Sequence, residues 1–472
     1  MRVELMVGPR PGGWGTGRWC SWGSGRLAPW VAAARFVAVQ DEGGYGAMKR
    51  NVLPARLVIA VLLLAVTGCV AARGGELAAP AAAGYTFPPE WAPHEAVWMG
   101  WSDEAPHHKV QVEMIRALAP HVKVRLMVAS ESAKAEAEKA LAAAGVDHDR
   151  VEFVTQKIVN FWIRDPGPRF LSDGHRLAVA EFGWNSYGYP LDLIIGGYDY
   201  PRRAVISRDV AEGMNIPVSS TAVVAEGGQM DVSDEVIVTY KGTALQRNPG
   251  LHLEEIEREY LRVYGKKKVV WLERPPLSDR VFSGPKLKNY FGEGANGHID
   301  EYVRFVNNST LVIAQIDEPE ADLDPLSRAD QEILRENLAQ LRAAVNVDGR
   351  PFEIITLPVP TLRHYMRTTK LSAGLKRWDF LGARFRDFAV GDEIIFVPAL
   401  SYLNFLVTNG VVLVPAYWHE GLPEREREKD ELARDTLQRL FPGRRVVQIN
   451  PLAVNWSGGG MHCITQQQPK VE

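Results

Sequence analysis

Three observations predict an α/β fold for this chain. From Tyr85 onward, short β-rich runs alternate with amphipathic helical stretches, the rhythm of an α/β domain. Nothing inside residues 85–472 is long and polar enough to act as a linker, so a single domain is expected there. The composition, 46% hydrophobic and 24% charged over 472 residues, is that of an ordinary globular protein. A net charge of −3 lacks the basic excess of a nucleic-acid binder, and no nucleic-acid partner is expected.

The elements follow in order. Ala96 to Trp101 reads as a strand, and Lys109 to Ala119 places apolar residues at helical spacing. Val122 to Val128 is a second strand, followed by the Ala/Glu/Lys-rich helix Ser132 to Ala144. Val151 to Val154 is a strand leading into Asn160-Phe161-Trp162-Ile163-Arg164-Asp165-Pro166-Gly167-Pro168. Later come strand Val236 to Tyr240, helix Leu253 to Tyr264 and strand Lys268 to Leu272. Strand Thr310 to Ala314 precedes a long helix, Ser327 to Ala344. Strands Phe352 to Leu357, Glu393 to Val397 and Gly410 to Val414 precede helix Arg425 to Leu440. Strand Arg445 to Ile449 is expected to close the series, and no repeat is visible in the letters.

The N-terminus differs. Residues 1–47 are rich in Gly, Trp and Arg without apolar periodicity, and read as an upstream translation artefact ahead of a true start at Met48. Lys49 and Arg50 form a basic region before the apolar run Leu57 to Val66, which is shorter than the roughly 20 residues a membrane span needs. The run ends Val66-Thr67-Gly68-Cys69, which resembles a bacterial lipobox. Residues 48–68 are therefore expected to be a lipoprotein signal peptide, Cys69 the lipidated residue, and 69–84 the anchor and a flexible tether. This makes the protein an exported lipoprotein, periplasmic or at the cell surface, attached to a membrane only through Cys69. The alternative is a buried apolar element of a longer domain.

Of three cysteines, Cys20 falls in the artefact and Cys69 in the lipobox, which leaves Cys463 and no disulfide framework. Cys463 follows Gly458-Gly459-Gly460-Met461-His462, and glycines let backbone and substrate approach a thiol closely. It is the candidate nucleophile. Trp162-Ile-Arg-Asp165-Pro-Gly-Pro, Glu226-Gly-Gly and Gly297-His298-Ile-Asp300 supply further acids and a base beside Gly or Pro, where site residues tend to lie. Singly, they read equally as a turn with an ion pair, a hairpin and a strand start. On a strand, His298 and Asp300 at i and i+2 would share a face. The histidines, including His107-His108, lack metal-ligand spacing; no metal or cofactor is expected.

Taken together, these motifs resemble the agmatine deiminase and bacterial-type peptidylarginine deiminase family. The resemblance runs from Phe87-Pro-Pro-Glu-Trp-Ala-Pro-His-Glu-Ala-Val-Trp-Met through the three motifs above and Ser401-Tyr-Leu-Asn-Phe to Gly-Gly-Gly-Met-His-Cys-Ile-Thr-Gln-Gln, nearly all of residues 85–472. It implies a pentein-like catalytic domain, a fivefold pseudosymmetric α/β propeller with its active site in the central channel. It also implies Cys463 as nucleophile, His298 as general acid and base, and Glu226 orienting or charging His298. Asp165 and Asp300 would bind the guanidinium, and Trp162 would line the pocket.

That chemistry suits the residue types. A guanidinium is planar and permanently charged, and carboxylates grip its N–H fork bidentately. A thiolate, favoured by a nearby cation, attacks its carbon. The implied reaction converts agmatine to N-carbamoylputrescine and ammonia. Peptidylarginine or free arginine is the alternative substrate, raised by the run Gln229-Met230-Asp231, by Trp101-Ser102-Asp103-Glu104 and by export. A thiol hydrolase of amide bonds and a non-catalytic arginine-binding lipoprotein are the more distant readings. Oligomeric state is not legible.

Overall fold

The computed structural model describes residues 84–188, 206–279, 287–378 and 384–472. The expected leader, Cys69 and tether up to residue 83 lie outside the described residues, as does Cys20. The described residues belong to one unit, Ala71–Glu472.

The chain begins with β1 (His94–Gly100), α1 (Ala105–Leu118), β2 (Lys123–Val128), α2 (Glu131–Ala143) and β3 (Val151–Thr155), all three strands parallel. A second module is built from β4 (Arg169–Ser172), β5 (Leu177–Gly183), α3 (Ile206–Met214) and β6 (Val218–Val224). The third has β7 (Met230–Val232), β8 (Val236–Tyr240), α4 (Lys241–Arg247), α5 (Leu253–Tyr264) and β9 (Lys268–Leu272). Then come β10 (Tyr290–Gly292) and a fourth module of β11 (Val303–Phe305), β12 (Thr310–Gln315), α6 (Glu318–Ala321), α7 (Pro325–Ala343) and β13 (Glu353–Pro358). β14 (Arg367–Lys370), α8 (Ala373–Trp378) and β15 (Glu393–Val397) follow; with β10 they form a separate small sheet. The fifth module has β16 (Leu406–Thr408), β17 (Val411–Pro415), α9 (Glu424–Leu440) and β18 (Arg445–Ile449). The chain ends with α10 (Leu452–Asn455) and β19 (Gln466–Pro469).

In modules two to five a short strand pairs antiparallel with the next, which pairs parallel with a third after a helical crossover. The first module completes the same ββαβ pattern by borrowing β19, which runs antiparallel to β1 in the order β19-β1-β2-β3. The strand expected to close the series, Arg445–Ile449, is therefore not the last one. The glutamine-rich strand Gln466–Pro469, which no β-propensity argument marks, closes the domain onto its own N-terminal strand. The five small sheets make the fivefold α/β propeller that the motifs implied.

Local sequence explains the elements. The central strands β8, β12 and β17 are apolar and almost wholly buried, as expected for strands covered on both faces. Helix α5 starts with a capping box between His252 and Glu255, buries Ile256, Tyr260 and Val263, and stops at Gly265 in the left-handed conformation. Helix α7 is capped by Asp324, whose carboxylate accepts from the Leu326 and Ser327 N–H groups at 3.0 and 2.9 Å.

Candidate active site

Five loops, one per module, occupy equivalent places. Asp165, Glu226, His298, Asn404 and Cys463 each lie two to five residues ahead of the antiparallel first strand of a module, β4, β7, β11, β16 and β19 respectively. All five are buried; His298 meets Asp165 and Glu226, Asn404 meets Cys463, and Asp300 links the two groups. The fold thus delivers one chemical group from each module to a common centre.

Cys463 Sγ lies 3.3 Å from Asn404 Nδ2, 3.6 Å from Glu301 Oε1 and 3.9 Å from Asp300 Oδ2. The glycine run is required by space: a Cβ on Gly459 would fall 2.9 Å from Sγ and 2.8 Å from the Trp162 ring, and one on Gly460 would fall 2.4 Å from Asn404 Oδ1. Trp162 therefore flanks the thiol across Gly459, half-buried. Arg164 ties two loops together, donating from Nε to His462 O at 3.2 Å and from Nη1 to Gln467 at 2.7 Å. Burial pushes the Cys463 thiol well above its usual range, and the neighbouring Asp300, Glu301 and Asp165 push it further.

His298 and Asp300 do not lie on a strand, as their spacing suggested. His298 precedes a 3-10 turn, Ile299–Glu301, whose Ile299 and Asp300 N–H groups both donate to Gly228 O at 3.1 and 3.2 Å. Asp279 fixes the turn by accepting from the N–H groups of Asn296, Gly297 and His298 at 3.2, 2.9 and 2.9 Å. The two side chains still come together, Nδ1 to Oδ1 at 4.0 Å, through the turn rather than through pleating. The ring is also 3.4 Å from Glu226 and 3.7 Å from Asp165, yet neither nitrogen has an aligned hydrogen bond among the described residues. Burial alone would favour neutral imidazole, but Asp165, Glu226 and Asp300 outweigh it and raise His298 to about 9.

Each carboxylate has a different support. Burial would raise Glu226, but Arg247 Nε, 2.9 and 3.0 Å from its two oxygens, and His298 bring it down to about 2. Asp165 accepts from Gly228 N–H at 3.1 Å and from the Tyr187 hydroxyl at 2.9 Å; burial raises it despite His298. Burial would likewise raise Asp300, but His462 Nδ1, 2.6 Å from Oδ2, keeps it below the ordinary range. Asp300 Oδ1 has no hydrogen-bond partner among the described residues. Behind it runs a buried relay: His462 Nε2 lies 2.7 Å from Glu90, which is 2.7 Å from Arg304, which is 3.1 Å from Asp231.

All six candidate site residues in the described region, Cys463, His298, Glu226, Asp165, Asp300 and Trp162, thus share one site. The sequence reading missed Glu301, Asn404, His462, Arg247 and Tyr187. Asn404 and His462 lie inside motifs that carried the resemblance, and Glu301 directly follows Asp300. A buried thiol faced by Asp165, Asp300 and Glu301 creates a strong demand for a cation, since buried like charges are costly unless compensated.

The model of the Porphyromonas-type peptidyl-arginine deiminase family matches residues 86–469. An agmatine deiminase of Medicago truncatula is 30% identical over 409 residues, which cover 82% of this chain and 97% of that protein. A Streptomyces coelicolor protein whose name points to the same activity is 30% identical over 398 residues, 82% of this chain and 99% of its own. The solved agmatine deiminase of Enterococcus faecalis, 22% identical, superposes with a TM-score of 0.63 over 84% of this chain and all of its own, a likeness of fold. The chain belongs to the Porphyromonas-type peptidyl-arginine deiminase family, which takes in the agmatine deiminases, hydrolases of C–N bonds in amidines.

Proposed function

We propose that the protein hydrolyses a guanidinium substrate, agmatine first, through a covalent intermediate on Cys463. The observation that carries this reading is Asp300, whose Oδ1 has no hydrogen-bond partner among the described residues and faces His298, beside Asp165, while its Oδ2 faces the thiol. Two carboxylates there can take the N–H fork of a guanidinium, and one charge pair at 4 Å gains about 4 kcal/mol at an effective dielectric near 20, before desolvation.

The Cys463 thiolate attacks the guanidinium carbon and gives a tetrahedral adduct. Protonated His298 gives its proton to the departing nitrogen, ammonia leaves, and a thiouronium remains on sulfur. Neutral His298 then takes a proton from water, whose oxygen attacks the same carbon and expels the thiolate. Glu226, held by Arg247, keeps the imidazole charged for the first half-reaction.

Agmatine is favoured over peptidyl or free arginine by the names of the relatives. The run Gln229-Met230-Asp231 does not argue against it, since its polar side chains have partners within the fold: Gln229 bonds Tyr260 and the Glu226 N–H group, and Asp231 bonds Arg304 and the Phe305 N–H group. Residues 48–68 as a signal peptide and a lipid on Cys69 belong to the same reading, which places the enzyme outside the cytoplasm on a membrane. The test is ammonia release from agmatine, arginine and arginyl peptides; release from agmatine at the highest kcat/KM is expected, and release from none defeats the reading.

A further inference from the structure

If Cys463 is the nucleophile of a deimination, its proton must go somewhere when substrate enters. His298 is poorly placed to take it, because among the described residues its ring nitrogens face Asp165, Glu226 and Asp300 rather than Sγ. Asp300 Oδ2 is 3.9 Å from Sγ but is engaged by His462 at 2.6 Å, which leaves it a weak base. Glu301 differs on both counts. Its Oε1 is 3.6 Å from Sγ, within reach of an S–H donor, and forms no ion pair among the described residues.

The placement of Glu301 is fixed. Asn404 Nδ2 lies 3.1 Å from Glu301 Oε1 and 3.3 Å from Sγ, so one amide bridges carboxyl and thiol. The amide is itself held by the His462 N–H group, which donates to Asn404 Oδ1 at 2.8 Å. Ser401 Oγ donates to the Glu301 carbonyl. Burial raises the proton affinity of the Glu301 carboxyl, and Asp300 and Asp279 raise it further, against the hydrogen bond from Cys463 and the charge of Arg304. Asp300 and Asp165 face the thiol from the other loops, so a cation arriving among them acidifies the thiol most of all, because it is the atom that meets the guanidinium carbon.

We propose that Glu301 accepts the Cys463 thiol proton when a guanidinium cation binds, so that the substrate itself arms the nucleophile. The S–H bond breaks and an O–H bond forms on Oε1. The freed sulfur pair makes the C–S bond, and a C–N π pair moves onto nitrogen. Ammonia leaves with the proton from His298, and water is deprotonated by the same ring. When the second adduct collapses, the C–S bond breaks, its hydroxyl proton passes to solvent water, where it protonates the ammonia released earlier, and Glu301 returns its proton to sulfur. This cycle rests on the deimination reading above.

The test uses the full chain and two variants, Glu301→Gln and Glu301→Asp. Two quantities are read: kcat/KM for ammonia release, and the pH midpoint of iodoacetamide alkylation at Cys463, followed by mass spectrometry without substrate. Glu301→Gln removes both the negative charge and the acceptor, so the midpoint should fall by one unit or more while kcat/KM drops by about 100-fold or more. Because burial also holds the thiol up, loosened packing would free it too, so the pairing is read only where Glu301→Gln keeps the wild-type Tm. Glu301→Asp keeps a carboxylate and should regain at least about tenfold of the lost kcat/KM, with a midpoint close to that of the wild type. The proposal is overturned if Glu301→Gln stays within about threefold in kcat/KM, or if its alkylation midpoint does not move. If Glu301→Gln fails to fold, the same two readings are taken on Glu301→Ala, and a kcat/KM within about threefold or an unmoved midpoint overturns the proposal. A wild type that releases ammonia from no guanidine defeats the deimination reading instead, and the alkylation midpoints still judge the thiol–carboxyl couple.

Discussion

His298 and Glu226 titrate in opposite directions: against burial, Asp165, Glu226 and Asp300 raise the imidazole, and Arg247 and His298 lower the carboxyl. His298, raised from 6.5 to about 9, contributes stability that is fully present below 6.5 and is lost as pH rises through 9. Glu226, lowered from 4.5 to about 2, contributes stability that is present above 4.5 and lost as pH falls through 2. The protonated imidazole is also the acid of the proposed first half-reaction. We therefore expect kcat/KM to lose activity on an alkaline limb near pH 9, with a fall in Tm between pH 7 and 10. An alkaline limb near 6.5, the value of an unperturbed histidine, would show that the carboxylate ring does not set this proton.

At the scale of elements, the active groups stand on the loops that enter the first strand of each module, and those loops approach one another with little room. Gly228 shows how little. A Cβ there would sit 2.6 Å from His298 Nδ1 and 3.0 Å from both oxygens of Asp300, although its backbone conformation would accept alanine. Gly228→Ala should keep the fold and lose about 100-fold in kcat/KM, the usual cost of displacing reacting groups by an ångström. Near-wild-type activity with an unchanged Tm would mean that the imidazole tolerates displacement.

The same scale separates what was legible from what was not. Periodicity gave helix Leu253–Tyr264 and strands Val236–Tyr240, Lys268–Leu272, Glu393–Val397 and Arg445–Ile449 at their observed bounds. It missed Met230–Val232 and Leu406–Thr408, because three buried residues offer no alternation to read. The six candidate site residues were found through glycine-flanked motifs. Glu301, Asn404 and His462 were not singled out, since their roles arise only where loops hundreds of residues apart meet. The pairing of His298 with Asp300 was anticipated from strand geometry, but a 3-10 turn brings it about.

At the scale of the whole described domain, the last strand closes onto the first. Gln466, Gln467, Gln468 and Pro469 pair with Trp98, Val97, Ala96 and His94, and Trp98 Nε1 donates to Gln468 at 3.0 Å. Without that strand, β1 would expose an unpaired edge and the Cys463 loop would lose the strand it leads into. Removing residues 466–472 should therefore abolish soluble, cooperatively folding protein, as judged by thermal unfolding. A truncated chain with an unchanged Tm would mean that the first module stands without β19. The fivefold repeat is invisible in the letters because the modules share backbone positions and strand directions, while their site residues differ in chemistry.

The central claim is that Cys463 attacks a guanidinium carbon and carries part of the substrate. The most direct measurement is acid quenching during agmatine turnover, followed by mass spectrometry of the peptide containing Cys463. The expected result is an added mass equal to agmatine minus ammonia on Cys463 in the wild type, with neither adduct nor ammonia release in Cys463→Ala. Ammonia release by Cys463→Ala at the wild-type rate would contradict the account.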